Sequence, residues 1–425
     1  MKVARAFGRH PGTWLPPLLV VLFLAAALPA VYLGGSVDPA GNLRDLPIGL
    51  IVEPQTSAAN TAADQVATAI RNSVNHEAID LISMSAEEEQ RQMGAGKIFG
   101  AVRISADFNA EIGRLASGAA GPPAHAVVHL DTAPATGGLT TGLFTGQVAP
   151  VVAAVNAKFG AQMAADAATV ASATALAAPF TVASAPLTPL AGHTGLGTSI
   201  FYYAIVLVLL GFVGASVIHP TVDSASGFQP SEFGPMVQRR KYIHLLRLHL
   251  LLIKWGVMLA AAPLGAGIIQ LIAGTMLDMP IPAPLELYLF STTTIAAIGI
   301  GALTVFAVFG SLAPLVNMFF FVALAMTTSA GTIPLEATPQ FFRTIAAIEP
   351  MRPIVTGLRS ILYYDSSVLS GLRSAWIRIG IGAAIGAAVG AVVTSLFDAH
   401  PPFSRDPGHP VAQSGSSAAE PVHTH

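Results

Sequence analysis

The stretch VYLGGSVDPAGNLRDLPIGLIVEPQ, residues 31–55, joins two kinds of sequence. An apolar run over residues 14–34 ends here, a Gly/Asp/Pro/Asn turn follows, and Leu46–Val52 has the composition of a β-strand. A helix that crosses a bilayer needs roughly 20 mostly apolar residues. The stretch therefore predicts a membrane span at 14–34, followed directly by the first strand of a water-exposed domain.

Composition indicates a membrane protein. Hydrophobic residues make up 53% of the 425 residues and charged residues 10%, whereas soluble domains carry about 25% charged residues. The chain has no cysteine, which excludes disulfides and thiolate metal sites. Its net charge of −2 lacks the basic excess of nucleic-acid-binding proteins. We therefore expect membrane lipids, and no nucleic acid, as partners.

Five further apolar runs follow the first, at residues 200–217, 250–273, 287–309, 312–331 and 376–397. The sequence thus predicts a polytopic α-helical membrane protein with about six spans, arranged one plus five. Only Gly310 and Ser311 separate the fourth and fifth runs, which predicts a tight hairpin. The first run has a competing interpretation as a cleaved signal peptide. Its apolar core exceeds the usual 7–15 residues, and Leu28-Pro29-Ala30 is a poor cleavage site, so we favour a retained anchor.

Basic residues near short loops predict the orientation, because such loops stay in the cytoplasm. They cluster before the first run and between the second and third: Lys2, Arg5, Arg9, Arg239, Arg240 and Lys241. This predicts a plasma-membrane protein with a cytoplasmic N-terminus, residues 1–13. Residues 35–197 would then be extracytoplasmic. The segment 332–375 argues the other way, since it carries four arginines and falls outside in this topology.

Nearly all the soluble character lies in residues 35–197. Strand-like and helix-like segments alternate there, with four predicted strands in LPIGLIV, AIDLISM, IFGAVRIS and AHAVVHLD. This alternation predicts an extracytoplasmic α/β domain inserted between the first two spans. An Ala-rich helix over about 143–173 and an extended Pro/Gly/Thr-rich linker are expected to return the chain to the membrane domain, 198–397.

Two motifs carry a family resemblance. The first is Tyr32, Asp38-Pro39, Gly41-Asn42 and Leu46-Pro47, which resembles the start of the outer domain in the YhgE/Pip family. It departs from that pattern at Val52-Glu53-Pro54-Gln55, where the family has Val-Asn-x-Asp. The second is similar to a segment shared with type-2 ABC exporter permeases, and its positions are Gly331, Pro334, Pro339, Pro350, Gly357, Leu358 and Arg359.

The resemblance implies a permease fold and two functional regions. Residues 331–374 would form a re-entrant or interfacial helix pair capping the outer mouth of a pathway, with an ordinary extracytoplasmic loop as the alternative. Arg359 would pair with Glu336 or Glu349, or face a lipid phosphate. The loop 219–249 would dock a separate ATPase subunit through Arg239, Arg240 and Lys241. The alternative is that these three residues only meet anionic lipid. The segment 231–254 is also expected to lie partly in the interface as an amphipathic helix.

Glycines mark the last span, where Gly382, Gly386 and Gly390 recur every four residues. Small residues at this spacing let helices pack closely in lipid. The partner helix belongs either to the same chain or to a second copy. The resemblance to type-2 ABC exporter permeases separately implies a homo-oligomer. The tail, 398–425, is rich in Pro, Ser and Ala and is predicted to be cytoplasmic and disordered.

Several absences bear on function. No acidic residue lies well inside the predicted spans, which argues against an ion-coupled carrier. GAGKIF, residues 94–99, lacks the Ser or Thr of a Walker A motif, so ATP hydrolysis would need another subunit. We identify no catalytic, cofactor or metal site and expect no enzyme. Two hypotheses remain: a homodimeric exporter of an amphipathic, drug-like or lipid-like compound, or a non-transporting envelope receptor or scaffold, since some YhgE/Pip-like proteins are linked to phage reception and secretion.

Overall fold

A computed structural model describes residues 11–117, 126–165, 176–366 and 368–400. The predicted N-terminal segment up to residue 10 and the predicted tail from residue 401 lie outside these residues. The chain divides into two compact units. The first comprises Met1–Val206, Ile268–Phe290 and Phe319–Arg378, and the second comprises Leu207–Gly267, Ser291–Met318 and Ile379–His425.

A five-stranded sheet organises the first unit. In chain order its strands are β1 (Leu46–Val52), β2 (Ile79–Ser83), β3 (Gly100–Ile104), β4 (Val127–Thr132) and β5 (Thr181–Pro186). Their order across the sheet is β2-β1-β3-β4-β5. Neighbouring strands are parallel except β3 and β4, where Val102 lies opposite Leu130 in an antiparallel pair. We call residues 46–186 the α/β lobe.

Helices cover both faces of the sheet. They are α2 (Ala62–Ser73), α3 (Ala86–Met93), α4 (Phe108–Ser117) and α5 (Gly138–Ala165). Because successive strand residues point to opposite faces, Leu46, Ile48 and Leu50 of β1 join the large core against α2, α4 and α5, while Ile51 joins a smaller cluster with Met93 of α3. The lobe is therefore a layered α/β structure.

The fifth strand lies in the stretch predicted as an extended return linker. β5 pairs in parallel with β4, from Val127 opposite Thr181 to Thr132 opposite Pro186. Most of its side chains are exposed. The segment is extended, as the sequence indicated, but it completes the sheet instead of leaving it.

Five helices among the described residues are long and apolar enough to cross a membrane: Gly138–Ala165, Ser199–Ala225, Arg247–Met276, Pro284–Thr328 and Leu372–Ala399. A shorter apolar stretch, Leu18–Tyr32, belongs to α1 (Pro11–Tyr32). The chain is a mostly helical, polytopic membrane protein. We name α6 (Ser199–Ala225), α7 (Arg247–Leu271), α8 (Pro284–Phe309) and α13 (Leu372–Ala399).

The 45-residue helical stretch Pro284–Thr328 reverses direction in its middle. α8 ends at Phe309, Gly310 has a φ of +56° in a short 3-10 turn, and α9 (Ala313–Met318) follows. A π-helical turn, Phe319–Ala323, then leads into α10 (Leu324–Thr328). The Asn317 side-chain amide donates to the Ala302 carbonyl at 3.2 Å. In a straight helix these residues would be about 22 Å apart, so the two legs form the hairpin that the Gly310-Ser311 break predicted.

Close packing holds the helices of the second unit together. A side chain at Gly211 of α6 would meet Ile298 of α8 at 2.9 Å, and one at Gly299 of α8 would meet Met258 of α7 at 2.5 Å. Large apolar side chains on these helices, including Val213, Leu259 and Leu264, remain exposed. This is the distribution that lipid favours, because small residues permit backbone approach and apolar residues can face outward.

The expected amphipathic helix over 231–254 is wrong in its first half. The chain forms a hairpin of β6 (Ser231–Phe233) and β7 (Met236–Gln238), and α7 begins only at Arg247. The reason lies in the turn. Gly234 has a φ of +57°, which a right-handed helix does not allow, and Pro235 follows it without a backbone donor.

Candidate functional site

The Asp38–Asn42 motif forms a turn between α1 and β1. The Asp38 carboxylate accepts from the Gly41 amide at 2.9 Å, and the Asn42 side chain donates to the Asp38 carbonyl at 2.7 Å. Asp and Asn are suited to such a turn because their short side chains bond the nearby backbone. The motif thereby fixes the direction in which the chain enters the sheet.

Residues 331–374, which we call the cap, contain two helices: α11 (Gln340–Ile345) and α12 (Met351–Tyr363). Each predicted proline stands at a boundary. Pro334 precedes a 3-10 turn, Pro339 precedes α11, and Pro350 precedes α12. Proline suits such positions because it lacks the amide that a helix interior needs.

Two cap glycines permit close packing within the first unit. The ring of Phe290 lies against Gly357 and the ring of Phe201 lies against Gly331, both too close for a side chain at either glycine. Around Gly357, α12 buries Ile354, Leu358 and Ile361. The glycines of the predicted cap motif therefore have a packing role in this structure.

The cap is bonded to the turn that follows α1. Arg343 donates to the carbonyls of Asn42 at 3.2 Å and Glu336 at 2.6 Å, and the Arg44 amide donates to the Glu336 carbonyl at 2.8 Å. Ala337 is part of the lobe's large core. The two sequence motifs that carried the resemblance, almost 300 residues apart, thus meet in the first unit.

Glu349 is buried in front of α12. Its Oε2 atom accepts from the Met351 amide at 2.8 Å and from the Thr328 hydroxyl at 3.1 Å. Burial raises the pKa of Glu349 to about 8, because the low-dielectric surroundings disfavour the charged carboxylate more than these hydrogen bonds stabilise it. Glu349 is therefore mostly protonated at neutral pH.

Arg359 pairs with neither of the carboxylates considered from the sequence. Its Nη2 donates to the Ala330 carbonyl at 3.0 Å and lies 3.5 Å from the Thr136 carbonyl. Its Nε atom is enclosed and has no hydrogen-bond partner among the described residues. Burial lowers the pKa of Arg359 from its ordinary value, since desolvation disfavours the cation.

A large cavity of about 600 Å³ lies beside the end of α12. Five segments line it together with Thr194: 93–94, 133–135, 188–191, 280–282 and 362–365. Alanine, proline and leucine dominate the lining, and Tyr363 contributes a hydroxyl that also contacts the Ser199 hydroxyl at 2.8 Å. This volume is in the range of sites for small organic ligands, which are mostly apolar with a few polar groups.

A second cavity of about 200 Å³, which we call the basic cavity, lies between the cap and the lobe. Lys97, Arg352 and Arg359 line it together with one carboxylate, Glu336. Burial lowers the pKa of Arg352, although Glu336 partly opposes this effect. No sequence pattern groups Lys97 with the two arginines, because their approach depends on the packing of the cap against the α3–β3 connection.

Four ionisable side chains meet on the face of the sheet that carries the smaller core cluster. Arg103 pairs with Asp131 at 2.7 Å and with Glu53 at 3.0 Å, and Glu89 lies 3.7 Å from it. Glu89 is only 1% exposed. Its pKa rises to about 8, first because of burial and then because of the neighbouring Asp131 charge, with which it shares a hydrogen bond. Both causes favour the neutral, protonated form of Glu89.

The second unit contains a buried polar trio that the sequence analysis missed. Asp223 and Lys254 are 0% and 3% exposed, and their charged groups lie 2.6 Å apart. His219 contacts both side chains and stacks on the ring of Phe306. α6 continues to Ala225, beyond the predicted span end at 217, so Asp223 lies within it. Asp223 lies in the last turn of this helix and outside the predicted span 200–217, so the expectation that no acidic residue lies well inside a span stays a prediction.

The other predicted residues are placed as follows. Arg239, Arg240 and Lys241 are exposed in the irregular segment between β7 and α7. On α13, side chains at Gly386 and Gly390 would meet Gly301 and Thr304 of α8 at 3.4 and 2.7 Å, and Gly382 faces open space. The Thr304 hydroxyl donates to the Gly386 carbonyl at 3.0 Å. Two of the three glycines thus pack within their own chain.

The described residues contain no group of three or more His, Cys, Asp or Glu that could hold a metal ion.

Comparison with known proteins gave one match. The family model described as a protein of unknown function (DUF3533) matches residues 17–377, which is most of the chain. Neither the curated proteins nor the solved structures contained a match.

Proposed function

We propose, for a chain that belongs to the family of proteins of unknown function DUF3533, that it is a plasma-membrane permease subunit. It would export an amphipathic, drug-like or lipid-like compound as a homodimer, in the manner of the type-2 ABC exporters. The α/β lobe would be extracytoplasmic and the N-terminus cytoplasmic. Six crossings would be made by α1, α6, α7, α8, the leg from α9 to α10, and α13.

The large cavity is the observation that carries this proposal. It combines about 600 Å³ of space, a mostly apolar lining and the Tyr363 hydroxyl. It also draws its lining from the lobe, from the segment that leads into α6, from the segment before α8 and from the cap. A movement of any of these would change its volume, which is what a vestibule that receives and releases cargo requires.

The energy would come from a separate ATPase subunit docked on the segment between α6 and α7. Its exposed residues Arg239, Arg240 and Lys241 are available for a partner. The Asp223–Lys254 pair joins the two helices that flank this segment. A push on the segment would therefore be passed to both helices.

Filling the cavity tests the transport role. Ala191 is exposed and lines the cavity, so Ala191→Trp should reduce volume without a folding penalty. We expect at least a fivefold loss of export of a fluorescent amphipathic dye from cells that express the protein. Ala59→Trp, at an exposed lobe position away from the cavity, is the matched control. Equal export by both variants would exclude the cavity as a cargo site.

Orientation and energy source have separate tests. The natural chain has no cysteine, so Ala59→Cys and Arg240→Cys can be labelled without background. A membrane-impermeant maleimide should label the first variant and not the second in intact cells. The reverse result would mean that the proposed topology is inverted.

The energy source is tested by purifying the protein from native membranes, where an ATPase should be recovered with it. Repeated absence of an ATPase would exclude the ATP-driven form of the proposal.

A second candidate role is a non-transporting envelope receptor or scaffold. β5 is an end strand of the sheet as described and most of its side chains are exposed. Such an edge can receive a strand from a partner. The Thr181 and Leu187 amides donate to the carbonyls of Ala126 and Thr132, so the Ser184 amide faces the free edge, because amides alternate along a strand. Ser184→Pro would remove this donor and block strand addition. Loss of function in S184P with full function in A191W would favour the receptor over the permease.

A further inference from the structure

We propose that the basic cavity binds a phosphate group, carried by a phospholipid headgroup or by free phosphate. The site shares Tyr364 but no other lining residue with the large cavity, and it requires no transport. A receptor or a scaffold could contain it equally well.

The charge of the cavity is the first observation. Three basic side chains line it, Lys97, Arg352 and Arg359, against the single carboxylate of Glu336. Among the described residues, none of the three forms a salt bridge within 4.0 Å. The lining therefore has an excess of two positive charges in a partly desolvated place, where an anion is attracted more strongly than at an open surface.

Unused donors are the second observation. The Arg359 Nε and the Tyr364 hydroxyl are both enclosed without a hydrogen-bond partner in the described chain, and both residues line the cavity. Buried donors in this condition are rare in native proteins and cost free energy. A phosphate supplies several acceptor oxygens, and arginine is well matched to it because its planar fork can bond two oxygens at once.

Size and access agree with a small anionic group. A volume of about 200 Å³ equals the share of roughly seven water molecules, which is room for a phosphate but not for a drug-sized molecule. Lys97 is exposed, so the cavity reaches the surface of the unit at this side chain. Thr136, Thr140 and Thr356 add hydroxyls to the lining.

The test is a binding titration on the full-length protein in a non-ionic detergent. Inorganic phosphate is added at constant ionic strength, with chloride as the compensating anion, and the melting temperature is followed by tryptophan fluorescence. A ligand that binds only the folded protein raises this temperature as its concentration passes Kd. We expect a saturable rise with phosphate and none with chloride.

Variants locate the site. We expect Arg359→Gln to weaken phosphate binding at least tenfold and Lys97→Gln to weaken it about threefold, because Lys97 lies at the exposed rim. Arg91→Gln removes the same charge from an exposed position outside the cavity and should leave Kd unchanged. Lys97→Gln keeps the test valid if R359Q fails to fold, since it replaces an exposed side chain.

Short-chain lipids distinguish the two sources of phosphate. Dihexanoyl phosphatidic acid is compared with inorganic phosphate, with dihexanoyl glycerol as the uncharged control. Binding at least tenfold tighter for the lipid identifies a headgroup site, and equal affinities identify a free-phosphate site. The proposal is overturned if neither ligand binds, or if R91Q weakens binding as much as K97Q does.

Discussion

Helices α5 and α13 are both 28 residues long, and both are apolar enough to cross a membrane, yet they are packed in different ways. α5 buries one face in the large core of the lobe, with Leu143, Phe144, Val148, Val152 and Val155. α13 leaves a stripe of aliphatic side chains exposed, namely Ile377, Ile381, Ile385, Val389, Val392 and Leu396. Length and composition do not separate these two helices.

What distinguishes them is the surface that each one meets. α5 lies on a sheet, and its Asn156 side chain donates to the Phe180 carbonyl at 2.7 Å, just before β5. α13 meets α8 through Gly386 and Gly390 and presents its large side chains outward. A domain in water buries large residues and exposes small or polar ones, whereas helices in lipid pack through small residues and can expose large apolar ones. The pattern of exposed residues is therefore more informative than mean hydropathy.

The largest expected effect is on the buried face of α5. Phe144 is 0% exposed, and Phe144→Ala should destabilise the lobe by about 3–5 kcal/mol through lost burial and a cavity. The measurement is thermal unfolding of the full-length protein in detergent. Leu139→Ala, at an exposed position on the same helix, is the control and should have little effect. Equal effects would mean that α5 is not packed on the sheet.

A comparable loss of stability is expected when one member of the polar trio His219, Asp223 and Lys254 is changed. Asp223→Asn leaves Lys254 buried without its counter-charge, which costs about 3–5 kcal/mol in measured cases. The double variant Asp223→Leu with Lys254→Met removes both charges and should recover most of this loss. If D223N is as stable as the natural protein in thermal unfolding, the pair is not buried as described.

A charge on the outward face of α13 should be costly. Ile385 is 58% exposed, and Ile385→Lys should raise the free energy of membrane insertion by about 2.5–3.5 kcal/mol. Glycosylation mapping of α13 in microsomes measures the inserted fraction. An unchanged fraction would show that this stripe does not face lipid.

Protonation of Glu89 gives a smaller effect that depends on pH. The pKa of Glu89 is about 8 in the folded lobe, whereas an unperturbed glutamate has a pKa of 4.5. Between these pH values the folded protein therefore holds a proton that the unfolded protein releases. Stability contributed by this group therefore falls as pH rises from about 4.5 to 8. Glu89→Gln should flatten this fall and stabilise the protein by on the order of 1 kcal/mol at pH 8.

Melting temperatures at pH 5.5, 7 and 8.5 measure the effect of E89Q. Glu87→Gln, at an exposed position on the same helix, is the matched control and should follow the natural protein. A parallel pH dependence for E89Q and the natural protein would mean that Glu89 is ionised at neutral pH.

The smallest effect is expected on the exposed face of α5, which would face lipid only if this helix crossed the membrane. Ala157 is exposed on α5, and Ala157→Lys should change stability by no more than about 0.5 kcal/mol if that face meets water. A157K should likewise leave the fraction of membrane-inserted protein unchanged in glycosylation mapping. A penalty similar to that of I385K would place α5 in lipid and remove the distinction between the two helices.

Local patterns were sufficient to predict β1 to β4, the Gly310 reversal and the positions of the apolar helices. β5 was not identified as a strand because TVASAP has few large β-forming side chains, and its pairing with β4 is a tertiary contact. The β6–β7 hairpin was also missed. The basic and leucine-rich residues that follow Gly234-Pro235 favoured a helix, and the turn that Gly-Pro indicates was not taken into account.

The candidate sites depend still more on tertiary structure. Arg359 was identified from its motif, but Lys97 had been considered only as part of a chance Walker-like match. Asp223 was missed because the apolar run ends at 217 while the helix continues to Ala225. A hydropathy window does not detect a helix end that is polar and buried. A check for charged residues inside or just beyond the predicted spans would have found Lys254, inside 250–273, and Asp223, six residues beyond 200–217.

The bond from Arg343 to the Asn42 carbonyl has an evolutionary consequence. Arg343 contacts backbone oxygens, so it depends on the shape of the Asp38–Asn42 turn and makes no bond to the Asn42 side chain. Among relatives, Arg343 should covary with Asp38, Gly41 and Asn42, which create that shape, while position 40 drifts freely. Chains that lose the turn should lose the arginine as well.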